Sequence, residues 1–418
     1  MKPQLSISGY PCLSLVLFLT CATCNTKTEP PDRFPGPRVR AADEMIRIQF
    51  PDKIDYRTIT GKLSQIASDI EFVPLETTSD CLLNDRIFIT PSENGYFIKM
   101  AYIVYRFSLE GKFLGRINTD GNGPGEYKCA SFFVNDGNRT IVSRGFYNDA
   151  FFFSDLSGTV LRSVRYQLKP TQYHGLNRLI HLTDSTFVAT YGNSDGQTEI
   201  LYSIRDYEGK VLSEEPNPHR LQKHYQPKDI SIYLGSNDGF YHFNGALYSL
   251  NVPADTIFKI NPGGTRQVHA LIGSGGLGLT KEEDVRISAY DLDLELIKKR
   301  RKIIDAGESD RYLFLLQYSF GQMMLAIYDK ADGSFTPNYN NKFVDDLTGM
   351  DSVRISGSNV YGNYLYCLVN AFDFIHYFNG HGKDSDFSQN LKTKAVMNVI
   401  SENSNPVLLK IRLKTFSN

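Results

Sequence analysis

The stretch that decides the fold is YRFSLEGKFLGRINTDGNGPGEY, from Tyr105 to Tyr127. It reads as a strand, a tight turn at Gly111, a return strand and a glycine-rich loop. Its first half recurs along the chain in degraded form. The copies are VYRFSLEGKFLGRI (104–117), FFFSDLSGTVLRSV (151–164), LYSIRDYEGKVLSE (201–214), IFKINPGGTRQVHA (257–270) and MLAIYDKADGSFTP (324–337).

The turn glycines of these copies give the period of the repeat. Gly111, Gly158, Gly209 and Gly263 follow one another at roughly 50 residues, which suits a four-stranded propeller blade with its connection. Strands in 353–375 and 406–413 supply a further blade. We therefore predict an all-β fold, a six-bladed β-propeller of four-stranded antiparallel blades, with seven blades as the alternative count. Sharing the closing blade between N- and C-terminal strands would remove exposed sheet edges.

Two segments break the repeat and read as helices. In residues 280–304, Thr280 and Glu283 have the spacing of a capping box, and an apolar stripe with basic residues follows. This helical insertion accounts for the late position of Gly333, the turn glycine of the fifth copy. Residues 388–401 read as an amphipathic C-terminal helix before the last strand. We expect both to be surface helices that cover a blade or a face.

The N-terminus reads as a targeting segment. A short apolar run, CLSLVLFLT, is well below the roughly 20 residues that span a bilayer. A cysteine followed by polar residues then predicts a lipoprotein signal over 1–23 with lipid attachment at Cys24. Cys21 is the alternative anchor, and an ordinary secretory signal is a further alternative. Residues 24–45 read as a Pro-rich tether and 46–418 as the propeller.

Composition excludes several classes of protein. The chain is 41% hydrophobic with a formal net charge of −1, which gives no electrostatic reason to expect nucleic acid. It has 25 Tyr and 27 Phe but no Trp, which counts against a WD-type repeat. Beyond the leader, Cys81, Cys129 and Cys367 are too far apart for a disulfide framework or a metal cluster. We expect no cofactor.

Motifs for catalysis or metal binding are weak. TDGNGPGEY (119–127) lacks the order of a phosphate-binding loop, so we interpret it as a link between blades. His219 and His224 are the most ligand-like histidine pair, but a polar loop explains them equally well, and we expect no metal site. The candidate ligand-face residues lie near predicted blade ends, and no catalytic role is assigned to any of them. They are Glu126, which could face the axial opening, Arg144, Tyr147, Arg165, Tyr173 and His174.

The chain resembles the six-bladed β-propeller lipoproteins of gut Bacteroidota, relatives of NHL-repeat propellers. The resemblance rests on FVPLETTSDCLL (72–83), GNGPGEY (121–127), ADTIFKI (254–260) and NPVLLKIRLK (405–414), and it spans nearly the whole mature chain. It implies a propeller in the cell envelope, as an outer-membrane lipoprotein facing the periplasm or the surface. It supplies no catalytic residues. The 280–304 helix and Arg144, where an acidic residue is more usual, depart from the pattern.

The leading functional hypothesis is a non-catalytic, lipid-anchored binding module. Its ligand would be a glycan, a peptide or an envelope protein; we expect a monomer that contacts the membrane only through its lipid. A hydrolase or lyase acting on saccharides or lactones in the axial funnel is the alternative, and a structural assembly factor is a third. An apolar or Tyr-lined face with no perturbed titratable groups would favour binding. A pocket with two carboxylates or a His-centred metal would favour an enzyme, and a large exposed apolar patch an assembly factor.

Overall fold

The computed structural model describes residues 45–50, 61–84, 87–121, 123, 125–147, 149–167, 175–192, 198–217, 220, 238–251, 255–273, 276–280, 283, 299–319, 322–339, 342–350, 352–355, 359–381 and 391–416. Within these residues the chain forms 28 strands in seven sheets, together with two α-helices whose bounds are described. The lipid-anchor residue Cys24 and the alternative Cys21 lie outside the described residues, as does the tether up to residue 44.

The strands follow one another in chain order. The three N-terminal strands are β1 (Ile46–Gln49), β2 (Gly61–Lys62) and β3 (Ala67–Pro74), with a 3-10 helix at Leu63–Gln65. The next twelve are β4 (Ile87–Ser92), β5 (Gly95–Met100), β6 (Ile103–Phe107), β7 (Phe113–Arg116), β8 (Cys129–Asn135), β9 (Thr140–Gly145), β10 (Ala150–Asp155), β11 (Val160–Arg165), β12 (Leu176–Thr183), β13 (Thr186–Tyr191), β14 (Ile200–Asp206) and β15 (Val211–Pro216).

The second half of the chain continues the pattern and adds the helices. Its elements are β16 (Asp238–Phe243), β17 (Ala246–Asn251), β18 (Thr256–Ile260), β19 (Arg266–Gly273), β20 (Arg301–Glu308), β21 (Tyr312–Ser319), β22 (Gln322–Asp329), β23 (Phe335–Tyr339), β24 (Lys342–Val344), β25 (Val353–Arg354), β26 (Val360–Tyr361), β27 (Tyr364–Val369), α1 (Ala371–His381), α2 (Leu391–Met397) and β28 (Val407–Leu413).

The sheets are the blades of a propeller. Blades 1 to 5 are β4–β7, β8–β11, β12–β15, β16–β19 and β20–β23, each built from four consecutive antiparallel strands. The first strands of neighbouring blades contact each other, β4 with β8, β8 with β12, and β16 with β20. This arrangement places the first strand of each blade around the central axis and the fourth at the perimeter. The prediction of an all-β propeller with four-stranded antiparallel blades is confirmed.

The predicted count of six blades is wrong, because the described residues form seven sheets. The additional blade 6 is a small sheet in the order β2–β24–β25, and blade 7 closes the ring in the order β26–β27–β28–β3. Blade 6 has strands of only two or three residues, and β2 pairs with β24 in parallel from the other end of the chain. Strands this short carry no alternating pattern, so the repeat in the sequence does not reveal them.

The blades are held together by apolar clusters at their junctions. Phe97, Ile117, Tyr127 and Phe152 are buried between blades 1 and 2, and the ring of Tyr127 stacks on that of Phe152 with centroids 4.0 Å apart. Comparable clusters join blades 2 and 3, 3 and 4, 4 and 5, and 7 and 1, while one large cluster unites blades 5 to 7. Because each blade buries both faces in this way, the ring supports its loops rigidly.

The N-terminal strand β1 adds a fifth strand to blade 4. It pairs in parallel with the perimeter strand β19, and its alternating burial leaves Ile46 and Ile48 in the core with Arg47 exposed. Phe50, the residue after β1, is 1% exposed, and its ring packs against that of Phe335 in blade 5 with centroids 4.6 Å apart. The strand therefore covers one sheet edge and fastens blade 4 to blade 5.

Blade 7 joins the two ends of the chain. Its strand β28 pairs antiparallel with β3, so that Phe72 lies opposite Leu409. Just before β28, the buried Asn405 donates from Nδ2 to the carbonyl oxygens of Glu76 and Cys81 at 2.8 and 2.9 Å, and its Oδ1 accepts from the amide of Leu83 at 2.8 Å. One side chain thus satisfies three main-chain groups in the connection from blade 7 to blade 1.

The helical predictions are corrected in three places. Thr280 and Glu283 do exchange both capping-box hydrogen bonds, at 2.8 and 3.2 Å, but residues 284–298 lie outside the described residues. Residues 301–304 are strand rather than helix, because Arg301 and Ile303 are buried in β20. Ala371–His381 is helix α1, although we expected its first residues to extend a strand. The C-terminal helix α2 covers Leu391–Met397 of the predicted 388–401; residues 398–401 are not helical, and 388–390 lie outside the described residues.

Candidate ligand-binding site

One end of blades 1 and 2 carries a cluster of side chains suited to ligand binding. Since neighbouring strands are antiparallel, the β5–β6, β7–β8 and β9–β10 connections all lie at the same end of these blades. We call this end, with the described residues 101–102, 117–121, 123, 125–128, 146–147 and 149, the aromatic end. The β4–β5 and β8–β9 turns lie at the opposite end.

Three aromatic rings meet at the aromatic end. Tyr102 and Phe146 have ring centroids 5.0 Å apart, and Phe146 meets Tyr147 edge-on at 4.7 Å. The side chain of Tyr147 is 68% exposed, whereas the other two are half-buried beneath it. Because Tyr147 is mostly exposed, much of its ring surface is available for contact with a bound molecule.

Main-chain hydrogen bonds hold the three connections in register. The amide of Cys129 donates to the carbonyl oxygen of Tyr102 at 2.9 Å, and the amide of Phe146 donates to that of Lys128 at 2.8 Å. Buried Asn118 also donates from Nδ2 to the carbonyl oxygen of Tyr102, at 2.8 Å. The aromatic rings therefore project from a backbone that is already fixed, which lowers the entropic cost of binding.

A cation and a carboxylate complete the cluster. The ammonium of Lys128 lies 5.4 Å from the ring centroid of Tyr102 and 5.8 Å from that of Tyr147. Its Nζ is 3.7 Å from Oδ2 of Asp120, and both charged side chains are more than a third exposed. The cluster thus combines aromatic surface with two polar groups that can orient a ligand, the usual composition of a small-molecule site.

The structure separates the residues that the sequence grouped as ligand-face candidates. Tyr147 is the exposed ring of the cluster. Glu126 folds back over its own loop, where Oε2 accepts from the amide of Gly123 at 2.9 Å. Arg144 is part-buried next to Tyr166; burial raises the pKa of that phenol, and the charge of Arg144 opposes the rise. Arg165 is exposed at the end of β11.

Two further candidates, Tyr173 and His174, lie outside the described residues, as do His219 and His224. Their place on the ligand face stays a prediction. Conversely, sequence reasoning missed Tyr102, Phe146 and Lys128. Lys128 directly follows GNGPGEY and Tyr102 sits in the turn before the repeated hairpin, but neither position has a local pattern that marks a site.

At the opposite end of the ring, hydrogen bonds between polar groups link neighbouring blades. The carboxylate of Asp136 accepts from Nδ2 of Asn94 at 2.9 Å and from the hydroxyl of Tyr361 at 3.3 Å, which links blades 1, 2 and 7. Burial and the nearby carboxylate of Asp136 raise the pKa of Tyr361 to about 12. The amide of Asp310 donates to Oδ1 of Asn363 at 3.0 Å between blades 5 and 7. These groups are occupied in holding the ring together.

A buried charged cluster lies between blades 4 and 5. Glu308 has no exposed side-chain surface and accepts from the Tyr241 hydroxyl at 2.9 Å, from Nζ of Lys330 at 2.7 Å and from Nε2 of His269 at 2.9 Å. Burial alone would raise the pKa of Glu308, but these hydrogen bonds and the charge of Lys330 outweigh burial and hold it below its usual value. The partners of the Glu308 carboxylate enclose it and come from both blades. We call this cluster the clasp, because it joins blade 4 to blade 5.

Metal ligands do not converge in the described part of the chain. No three His, Cys, Asp or Glu side chains there are arranged around a common point. His181 and His242 approach with ring centroids 6.0 Å apart, but Nε2 of His242 is hydrogen bonded to the carbonyl oxygen of His181 at 2.8 Å. Neither described helix has the length and apolarity needed to cross a bilayer.

A solved structure from Bacteroides fragilis shares the fold of this chain. A protein from Bacteroides fragilis NCTC 9343, which its name describes as presumed to be exported, superposes with a TM-score of 0.65 at 16% identity, covering 89% of this chain and 100% of that one. A member of the DUF4221 family from Bacteroides vulgatus ATCC 8482 has a TM-score of 0.48 at 11% identity, covering 83% and 97%. Virginiamycin B lyase from Staphylococcus aureus has 0.37 at 12%, covering 66% and 77%. At 16% identity the first superposition concerns the fold alone, and the other two, with TM-scores below 0.5, carry no argument.

Sequence comparison gives the family. No functionally curated protein matches the chain. The model of one family, described as a domain of unknown function, matches residues 45–412, which run from the residue before β1 into β28 and so include all seven blades. The chain therefore belongs to the DUF4934 family.

Proposed function

We propose that this protein is a non-catalytic binding module that holds a saccharide at the aromatic end of blades 1 and 2. The observation that carries the proposal is the exposed ring of Tyr147, supported by Phe146 and Tyr102. The C–H groups on one face of a pyranose ring carry partial positive charge, and the face of an aromatic ring is negative. A sugar can therefore stack on Tyr147 while its polar substituents bind a charged group beside the ring, such as Asp120.

The location of the polar clusters supports binding over catalysis. General acid–base catalysis by a hydrolase or lyase is most often supported by a histidine or carboxylate that a paired group tunes for proton transfer. The described residues contain two histidine–carboxylate pairs. In one, Glu308 beside His269 has no exposed side-chain surface and is hydrogen bonded to Lys330 and Tyr241; in the other, His181 and Asp184 are 3.9 Å apart, beyond hydrogen-bonding distance. The aromatic end offers a Tyr-lined surface instead, which is the arrangement expected for a binding module.

We place the module in the cell envelope, as a monomer tethered through lipid on Cys24. The short apolar segment before that cysteine supports export, and the Bacteroides fragilis protein of similar fold is also described as presumed to be exported. Globomycin treatment tests the anchor. We expect it to block processing of the wild-type protein and of Cys21→Ala. Processing of Cys24→Ala that still responds to globomycin would contradict the assignment.

The binding site is tested by calorimetric titration of the purified full-length protein with a panel of glycans and muropeptides. We expect at least one saccharide to bind, and Tyr147→Ala to weaken its affinity about tenfold, equivalent to roughly 1.4 kcal/mol of lost stacking. Phe372→Ala is the matched control, since Phe372 is another exposed ring, 51% exposed on α1, outside the cluster. An affinity unchanged in Tyr147→Ala, or a panel without any binding saccharide, would refute the proposal.

A further inference from the structure

The aromatic end already contains a bound cation, supplied by the protein itself. The ammonium of Lys128 lies within 6 Å of two ring centroids, those of Tyr102 and Tyr147, and beside the carboxylate of Asp120. Two aromatic faces and one carboxylate are the set of groups that recognises an organic ammonium ion. Their arrangement around Lys128 therefore defines a cage with a chemical preference.

The backbone that carries the cage is held by hydrogen bonds, whereas the lysine side chain can leave. Main-chain hydrogen bonds tie Tyr102 to Cys129 and Lys128 to Phe146, and the ring of Phe146 contacts those of Tyr102 and Tyr147 without involving the lysine side chain. The ammonium of Lys128 is held by an ion pair in which both side chains are more than a third exposed, and such pairs are weak. An external ammonium can therefore replace that of Lys128.

We infer that the site selects a saccharide with a protonated amino group, whose ammonium takes the place of the Lys128 ammonium in the cage. This inference rests on the proposed function and names its ligand class. In this arrangement the sugar ring stacks on Tyr147 and the ammonium pairs with Asp120. A carboxylate in the same position would face Asp120 and the negative faces of two rings, which disfavours acidic saccharides.

Lys128 then acts as a competitor that sets the affinity. Methionine has a similar length but no charge, so Lys128→Met vacates the cage while keeping its packing. Lys128→Arg retains a cation and is the matched control. We expect the first variant, and not the second, to bind the amino sugar more tightly than the wild type.

The test compares an oligomer of glucosamine with the same oligomer of N-acetylglucosamine, titrated at about pH 6, where an alkyl amine is protonated. Wild type should prefer the amine form at least fivefold. Lys128→Met should bind the amine form about five to ten times more tightly than wild type, with no gain for the acetylated form. Tyr102→Ala and Asp120→Asn should remove the preference. Circular dichroism establishes that each variant is folded.

The outcomes separate the two proposals. If wild type binds both forms with equal affinity and Tyr147→Ala loses affinity for both, the ammonium cage is refuted and the saccharide site is retained. The same holds for a panel in which other saccharides bind and the glucosamine oligomer does not. A Lys128→Met variant with no gain for the amine form also overturns the cage. Absence of binding by every saccharide, to wild type and variants alike, overturns both.

Discussion

Replacing Gly111 by alanine tests how the blades pack against one another. Gly111 lies in the β6–β7 turn with φ +84°, and its carbonyl oxygen accepts from the amide of Glu76 at 2.8 Å. A Cβ at this position would overlap the carbonyl oxygen of Pro74 and lie 3.0 Å from Cγ1 of Val73, both in blade 7. The turn must therefore move away from the neighbouring blade or force β3 to shift.

The expected cost has two parts. An alanine in left-handed backbone costs about 1 kcal/mol. Separating the turn from blade 7 removes the hydrogen bond to Glu76, worth about 1 kcal/mol, and packing of similar value at Val73. Gly111→Ala should therefore lower the free energy of unfolding by roughly 3 kcal/mol.

Gly245→Ala is the matched control for backbone strain. Gly245 has φ +71° in the β16–β17 turn, and a Cβ there meets nothing within 4 Å. This variant should lose only about 1 kcal/mol. Urea unfolding followed by far-UV circular dichroism measures both. If the free energy of unfolding falls no more in Gly111→Ala than in Gly245→Ala, close contact with blade 7 does not stabilise the turn.

Four further predictions follow from buried contacts. Lys330→Met should cost roughly 3 to 5 kcal/mol in urea unfolding, because it leaves Glu308 buried without its cation; a loss below about 1 kcal/mol would contradict the clasp. The pKa of Glu308 is lowered in the folded protein, so its stabilising contribution is present above about pH 4.3 and is lost as pH falls through the folded pKa. Glu308→Gln should therefore make the free energy of unfolding depend less steeply on pH in the acid range. An unchanged slope would refute this. Asn405→Ala should cost roughly 2 to 3 kcal/mol in the same assay, and a neutral effect would mean that water replaces its bonds. Phe50→Ala should cost about 3 kcal/mol, whereas Arg47→Ala on the exposed side of β1 should stay within about 0.5 kcal/mol; equal effects would show that β1 does not fasten the blades.

The sequence predicts the repeated hairpins well because their signals are local. All five copies coincide with the third and fourth strands of blades 1 to 5, such as β6–β7 around Gly111. Alternating apolar residues and a turn glycine are sufficient to define such a hairpin without knowledge of its neighbours. The same reasoning fails for blade 6, whose two- and three-residue strands become a sheet only when β2 meets β24 from the far end of the chain.

The candidate site is less accessible to sequence reasoning. Tyr147 could be chosen as an aromatic residue near a blade end, but its partners Tyr102 and Lys128 belong to two other connections. They converge only because the β5–β6, β7–β8 and β9–β10 connections lie at the same end of the ring. Glu126 illustrates a second limit, since the sequence does not reveal that its carboxylate accepts a hydrogen bond from Gly123 of its own loop. A ligand site built from several connections depends on tertiary structure.

The pairing of β3 with β28 governs the order in which the molecule can assemble. The ring can close only when Phe72 of β3 pairs with Leu409 of β28. Almost the entire chain must therefore be synthesised first, and in an exported protein it must also be translocated. Contacts between such distant residues make folding slow, and until then β3 has an open edge that invites pairing with other chains. A chain truncated before residue 407 lacks the strand that seals this edge. Closure of the ring therefore depends on the last strand of the propeller to be synthesised.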